Sequence, residues 1–272
     1  MTDGPPRIFD HKARALHLAR AAQIAGDAFL RQEAIAGLAE RLDAVTRSFP
    51  HRRELTIDAN EHVDAEPESL DLITSNLALH AVNDLPGVLV QARRALKPDG
   101  LFLAALFGGE TLTELRQSLA AAEIEIKGGV SPRVAPFADV RDLGGLLQRA
   151  GFALPVADVE RTIVRYGDFM QLIRDLRAMG ETNALVERSR KPMRRDMLAA
   201  ALAHYARHFA DPDGRLRATF DIVYLTGWAP HESQQKPLKP GSATARLANA
   251  LGTKELPAGD APPGVRGDRP AR

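Results

Sequence analysis

The strongest constraint on the fold lies between residues 69 and 106. The run Leu70-Asp71-Leu72-Ile73-Thr74-Ser75 is short, apolar and β-branched, and predicts a buried strand over 70–75. Leu85, Val88, Leu89, Ala92 and Leu96 recur at helical spacing, predicting a helix over 85–96. Lys97-Pro98-Asp99-Gly100 breaks that helix, because proline ends it and Pro-Asp-Gly suits a turn. Residues 101–106 (LFLAAL) form a second apolar strand. Strand, helix, turn and strand at this spacing make a βαβ unit, whose crossover lays two parallel strands in one sheet. The fold class is α/β.

The flanks supply the remaining elements. Residues 12–25 and 28–45 predict two helices split near Gly26, the second with an apolar stripe of Ile35, Leu38, Ala39, Leu42 and Val45. A short extended stretch is expected over 55–58. Thr111 and Glu114 have capping-box spacing for a helix reaching Ala122. Asp139 is placed to cap a helix ending at Ala150, with Gly151 just beyond it. Strands are expected over 152–157 and 161–166, then a helix through Phe169, Leu172, Ile173 and Leu176 that stops at Gly180. Another helix is expected over 194–209, and the strongest β signal is 219–227 (TFDIVYLTG). This gives an N-terminal helical segment over 1–50 and an α/β domain over 51–230 with a helical insertion about 168–210. The proline- and glycine-rich stretch 231–272 is expected to be a disordered tail.

Composition excludes several function classes. With no cysteine, the chain has no disulfides, thiolate zinc sites, iron–sulfur ligation or cysteine nucleophile. Its 36 Lys+Arg against 35 Asp+Glu imply no electrostatic pull toward nucleic acid. No apolar run approaches the roughly 20 residues that span a bilayer. No His/Asp/Glu spacing suggests a metal site. The opening residues lack an apolar signal-peptide core, so a cytoplasmic location is expected, or the mitochondrial matrix for a eukaryotic source.

The stretch SLDLITSNLALHAVNDLPGVLVQARRALKPDGLFLAAL (69–106) resembles the fourth strand, following helix and fifth strand of class I S-adenosylmethionine-dependent methyltransferases. GGETLTELR (108–116), SPRVAPFADVRDLGGLLQRAGFALPVAD (131–158), DLRAMGETNAL (175–185) and FDIVYLTGWAPHESQQKPLKPGSA (220–243) resemble one subfamily. It comprises the methyltransferase-like complex I assembly factors of mitochondria and alphaproteobacteria, relatives of the malonyl-acyl-carrier-protein O-methyltransferase of biotin synthesis. The resemblance implies a Rossmann-like sheet, S-adenosylmethionine as cofactor, and a complex I subunit or an acyl-carrier-type molecule as partner. It places Ser75, Asn76 and His80 beside the methyl donor, just past the carboxyl end of a parallel strand, where such sheets bind ligands. The acid that holds the adenine amino group in the family would fall at Ala59 or Asn60, neither of which supplies a carboxylate. Gly108, Gly109, Arg133 and His231 are the corresponding substrate-side candidates. Structural roles compete for several of these: Asn76 capping a turn, His80 packing, and Asn83-Asp84 capping the next helix. The residues do not single out a catalytic group.

One departure from the pattern is physical. In the family a first strand, a glycine-rich loop, a helix and a second strand ending in a ribose-binding acid come after the position of Phe49-Pro50. Here the chain passes within eight residues from Pro50 to Asp58, and no glycine lies between Gly37 and Gly87. A strand–loop–helix–strand unit needs at least ~30 residues. The sheet is therefore expected to be truncated in its first half. The strand 70–75 would be left with an open edge that favours self-association, unless 55–58 takes the vacant place. Two classes of function are implied: a methyltransferase-family protein tied to complex I assembly, or a non-catalytic assembly scaffold that has lost its cofactor site. Arginine hydroxylation, suggested for some relatives, is a further alternative.

Overall fold

The computed structural model describes residues 7–24, 28–235, 249, 252 and 253. Contacts divide the chain into Met1–Glu232 and Ser233–Arg272, and the sheet with its helices belongs to the first unit. The tail expected over 231–272 falls, past residue 235, outside the described residues except 249, 252 and 253.

Five strands form one sheet: β1 (Arg52–Glu54), β2 (Leu70–Asn76), β3 (Leu96–Gly108), β4 (Ala153–Tyr166) and β5 (Leu216–Trp228), in the order β1-β2-β3-β5-β4. β1, β2 and β3 pair in parallel, and β5 runs antiparallel to both β3 and β4. The helices are α1 (His11–Ala21), α2 (Phe29–Asp43), α3 (Leu85–Ala95), α4 (Thr113–Lys127), α5 (Val140–Arg149), α6 (Phe169–Ala178) and α7 (Arg195–Phe209). Both sheet faces are covered, which is why the central strands read as unbroken apolar runs. Along β3, Leu101, Leu103, Ala105 and Phe107 enter the core under α2, α4, α6 and α7. Phe102, Ala104 and Leu106 enter the opposite core with α3 and α5. The two-residue period of the strand thus divides its side chains between the cores.

The βαβ unit forms as its sequence predicts. Asp84 caps α3 by accepting from Gly87 N, and the Lys97-Pro98-Asp99-Gly100 turn is taken up as an irregularity in β3. The pairing jumps there from Leu70↔Leu96 to Leu72↔Leu101, with Asp99 in the left-handed region. Asp139 caps α5 through Arg141 N, and Gly151 has a positive φ just after it.

Several expectations need correction. The buried face of α2 is Leu30, Ala34, Gly37 and Leu38, while Ile35 is 52% exposed. The reason is Tyr224: its ring packs against Gly37, where a Cβ would lie 2.2 Å from the hydroxyl, and Arg41 stacks 3.6 Å over it. The capping box at α4 does not form. Thr111 Oγ1 donates to Gly108 O, and the Glu114 carboxylate accepts from Thr219 N at 3.0 Å, so both side chains serve β5 or its neighbour. The two strands expected over 152–166 are one, β4. The extended segment before β2 is Arg52–Glu54 rather than 55–58. It pairs with Leu72, Ile73 and Thr74, and Leu55 N adds a bond to Thr74 O at 2.6 Å. The edge of β2 that the truncation would leave open is therefore occupied along this stretch.

Candidate functional site

Two cavities of about 330 Å3 each open at the carboxyl ends of the parallel strands. Arg14 and Ala81 line both. We call them the donor cavity, at the ends of β1 and β2, and the acceptor cavity, between β3, β5, α4 and the inserted α6.

The chain reaches this position through a pinned N-terminal segment. Phe9 bridges to Leu185, and the Asn83 carboxamide accepts from Ile8 N and Phe9 N at 2.7 and 2.8 Å. Asp10 then caps α1 through Ala13 N, which carries Arg14 into the partition between the cavities. There Arg14 Nη2 donates to Glu181 Oε1 at 3.3 Å, and His80 Nε2 lies 3.0 Å from Glu181 Oε2. The His80 ring is 3% exposed and packs against Phe107 and Phe137. With Nε2 facing the carboxylate, Nδ1 is left buried with no hydrogen-bond partner. Burial opposes the charge on Glu181, but His80 and Arg14 beside it win and hold its carboxyl at about 2, well below the ordinary range.

The acceptor cavity is chiefly apolar, walled by Phe107, Leu112, Leu115, Phe137, Phe169 and Phe220 among others. Arg133 lines it with its guanidinium committed to Glu123 at 2.9 Å. Glu123 also holds Lys127 and Ser131; burial opposes its charge, and these partners depress its carboxyl strongly. Arg177 lies at the exposed rim with Met170 and Met193.

The donor cavity is lined by Arg14, Arg31, Glu54, Leu55, Ile57, Asp58, Ala59, Asn76 and Leu77, with others. Asn76 Nδ2 donates to Arg31 O at 3.4 Å, and its Oδ1 is buried with no partner. These residues do not fit S-adenosylmethionine as the family holds it. No helix lies between β1 and β2, so no helix N-terminus there offers backbone N–H groups to an anionic end. The loop after β1 is closed on itself: Asp58 Oδ1 accepts from Asn60 N and His62 N, both at 2.8 Å. Glu61 turns away, accepting from Asn83 N and Asp84 N at 2.6 Å, with His11 Nε2 2.8 Å from its carboxylate. Glu54 remains as an exposed carboxylate on the rim.

The residues that the sequence pointed to are divided between the cavities and the packed interior. Asn76 lines the donor cavity and His80 the acceptor cavity. Ser75 is fully buried, with its hydroxyl unpartnered, and lines neither. Asn60 is exposed in the Asp58 loop. Gly108 and Gly109 are packing positions: a Cβ would lie 2.5 Å from Val223 Cγ2 at the first and 2.7 Å from Asp221 Oδ2 at the second. Arg133 lines the acceptor cavity, whereas His231 is exposed and lines neither. Sequence reasoning missed Arg14, Glu181 and Arg177. Glu181 and Arg177 lie in the family-specific DLRAMGETNAL segment, the one signal pointing to them. Among the described residues, no three His, Asp or Glu side chains group so as to hold a metal ion, and no helix is long and apolar enough to cross a membrane.

A family model described as a methyltransferase domain matches residues 15–155. The chain is 50% identical over 192 residues to the mitochondrial arginine-hydroxylase NDUFAF5 of Dictyostelium discoideum, covering 70% of this chain and 44% of that protein. It is 40% identical over 195 residues to the malonyl-[acyl-carrier protein] O-methyltransferase of Laribacter hongkongensis, covering 72% of this chain and 63% of the relative. It therefore spans about half of the length of the curated relatives it matches. Among solved structures, a Bacillus halodurans C-125 protein described as a methyltransferase aligns with TM-score 0.45 and 12% identity, over 71% of this chain and 99% of its own.

Proposed function

This chain belongs to the methyltransferase-domain family, and on that premise we propose that it is an assembly protein linked to respiratory complex I, working through its acceptor cavity without the family's cofactor. The observation that carries this reading is the contrast between the two cavities. The acceptor cavity is apolar, is walled in part by family-specific segments, and has Arg133 and Glu181 already paired. The donor cavity is walled by a three-residue strand and a self-closed loop in place of a glycine-rich turn. The resemblance to NDUFAF5 supports the complex I link, and that to the malonyl-[acyl-carrier protein] enzyme supports an acyl-carrier-type partner as the alternative. The corresponding location is the bacterial cytoplasm or the mitochondrial matrix.

Blocking each cavity separately tests the reading. In cells where this gene is the only copy, Ile173→Trp, which fills the acceptor cavity, is expected to lower the amount of assembled complex I on native gels. Ala59→Trp, in the exposed wall of the donor cavity, is expected to leave it unchanged. Loss of complex I with Ala59→Trp alone would overturn the reading and return the donor cavity to service.

A further inference from the structure

Resting on the acceptor cavity as the working site, we propose that it takes a medium-chain acyl group ending in a free carboxylate. The chain would lie among Phe107, Leu115, Phe169 and Ile173, with the carboxylate at Arg177.

The first argument is polar satisfaction. Thr111 is bonded to Gly108 O, His80 Nε2 lies 3.0 Å from Glu181 and Arg133 is paired with Glu123, which leaves His80 Nδ1 as a buried polar atom without a partner. A guest with polar atoms along its length would leave them without partners inside this wall, at a penalty of about 1–3 kcal/mol each. The buried part of the guest is therefore chiefly hydrocarbon, with His80 Nδ1 the one place among the described residues where a polar atom of the guest would find a partner. A cavity of about 330 Å3 is at the small end of ligand pockets, which limits that hydrocarbon to medium length.

The second argument is charge. Among the described residues, three arginines line the cavity, Arg14, Arg133 and Arg177, and Glu181 is the only carboxylate that does. Glu181 is already shared between Arg14 and His80, and Arg133 belongs to Glu123. Arg177, exposed at the rim, has no carboxylate partner among the described residues. A guanidinium guest would have to take Glu181 from Arg14 and His80 and sit beside three arginines. A carboxylate at the rim instead completes Arg177, and the free acid, unlike a thioester, carries the charge to do so. Met170 and Met193 flank this position with side chains that adapt to guest shape.

Calorimetric titration of the full chain with sodium decanoate, 1-decanol and N-acetyl-argininamide tests the proposal. Decanoate is expected to bind saturably and raise the melting temperature, with decanol about fivefold weaker, as suits one exposed charge pair. Arg177→Gln, at an exposed position, should erase the advantage of decanoate and leave both decanol binding and the melting temperature of the free chain unchanged. Ile173→Trp should abolish both. Equal binding of decanoate and decanol, no decanoate binding, or argininamide binding that Ile173→Trp blocks would each overturn it. The outcome is separable from the complex I reading. Absent decanoate binding with complex I still lost in Ile173→Trp removes the ligand class and keeps the site. Decanoate binding with complex I intact in that variant removes the site's role and keeps the ligand class.

Discussion

The donor and acceptor cavities are equal in volume, share Arg14, and differ in how their walls are fixed. Around the acceptor side carboxylates tie separate elements together: Glu114 to Thr219 on β5, Glu123 to Arg133 beyond α4, and Asp221 to Arg161 on β4 at 2.7 Å. On the donor side the strand is three residues long and exposed, Asp58 serves its own loop, and Glu61 turns away from the cavity to Asn83 N and Asp84 N. Equal volume therefore does not mean equal chemistry. The first cavity has an apolar interior with its Arg133 and Glu181 charges paired and His80 Nδ1 left without a partner, whereas the second lacks the backbone donors that its position in the fold ordinarily supplies.

The largest test strikes the partition between them. Glu181→Ala leaves Arg14 buried without a counter-charge and should destabilise the chain by about 3–5 kcal/mol, read as thermal melting. Because the Glu181 carboxyl is depressed in the folded chain, to about 2, its contribution is present above its unfolded value and is lost as pH falls toward 2. The acid limb of stability should accordingly be flatter in Glu181→Ala than in the parent, and equal limbs would deny the pair its role. Next is the donor side. Leu55→Pro removes the bond to Thr74 O and should lose about 2 kcal/mol, with concentration-dependent association along β2 seen by sedimentation. Hydrogen exchange in the unmodified chain should rank the amides of β5 most protected, β2 next and β1 least. Protection of β1 equal to β5 would mean that the donor side is built as firmly as the other. The smallest effect is at Ser75, whose buried hydroxyl has no partner. Ser75→Ala should be neutral or stabilise by up to about 1 kcal/mol, and a clear loss by chemical denaturation would assign that hydroxyl a partner.

The range of each interaction decided how much of this was legible in the sequence. β2, α3, β3, α5 and β5 could be read because apolar runs, caps and turns are local signals. The face of α2 was misread because Gly37 and Arg41, neither of them an apolar marker, pack on Tyr224 nearly two hundred positions away. The capping box failed for the same reason, Thr111 and Glu114 being claimed by β5 and its flank. β1 is Arg-Arg-Glu and carries no apolar pattern, so the need for an edge partner was visible while the strand filling it was not. At the site, the carboxyl end of β2 was located, with Asn76 and His80 at it. The Arg14–Glu181 pair, 167 residues apart, leaves no mark in spacing.

In the proposed reading the donor cavity takes no S-adenosylmethionine and the acceptor cavity is the working site. Calorimetric titration of the full chain with S-adenosylmethionine and S-adenosylhomocysteine, with thermal melting alongside, addresses it directly. The account predicts no saturable heat and no rise in melting temperature for either compound. A dissociation constant in the low micromolar range, abolished by Glu54→Gln, would contradict it and make Glu54 the acid that holds the ribose.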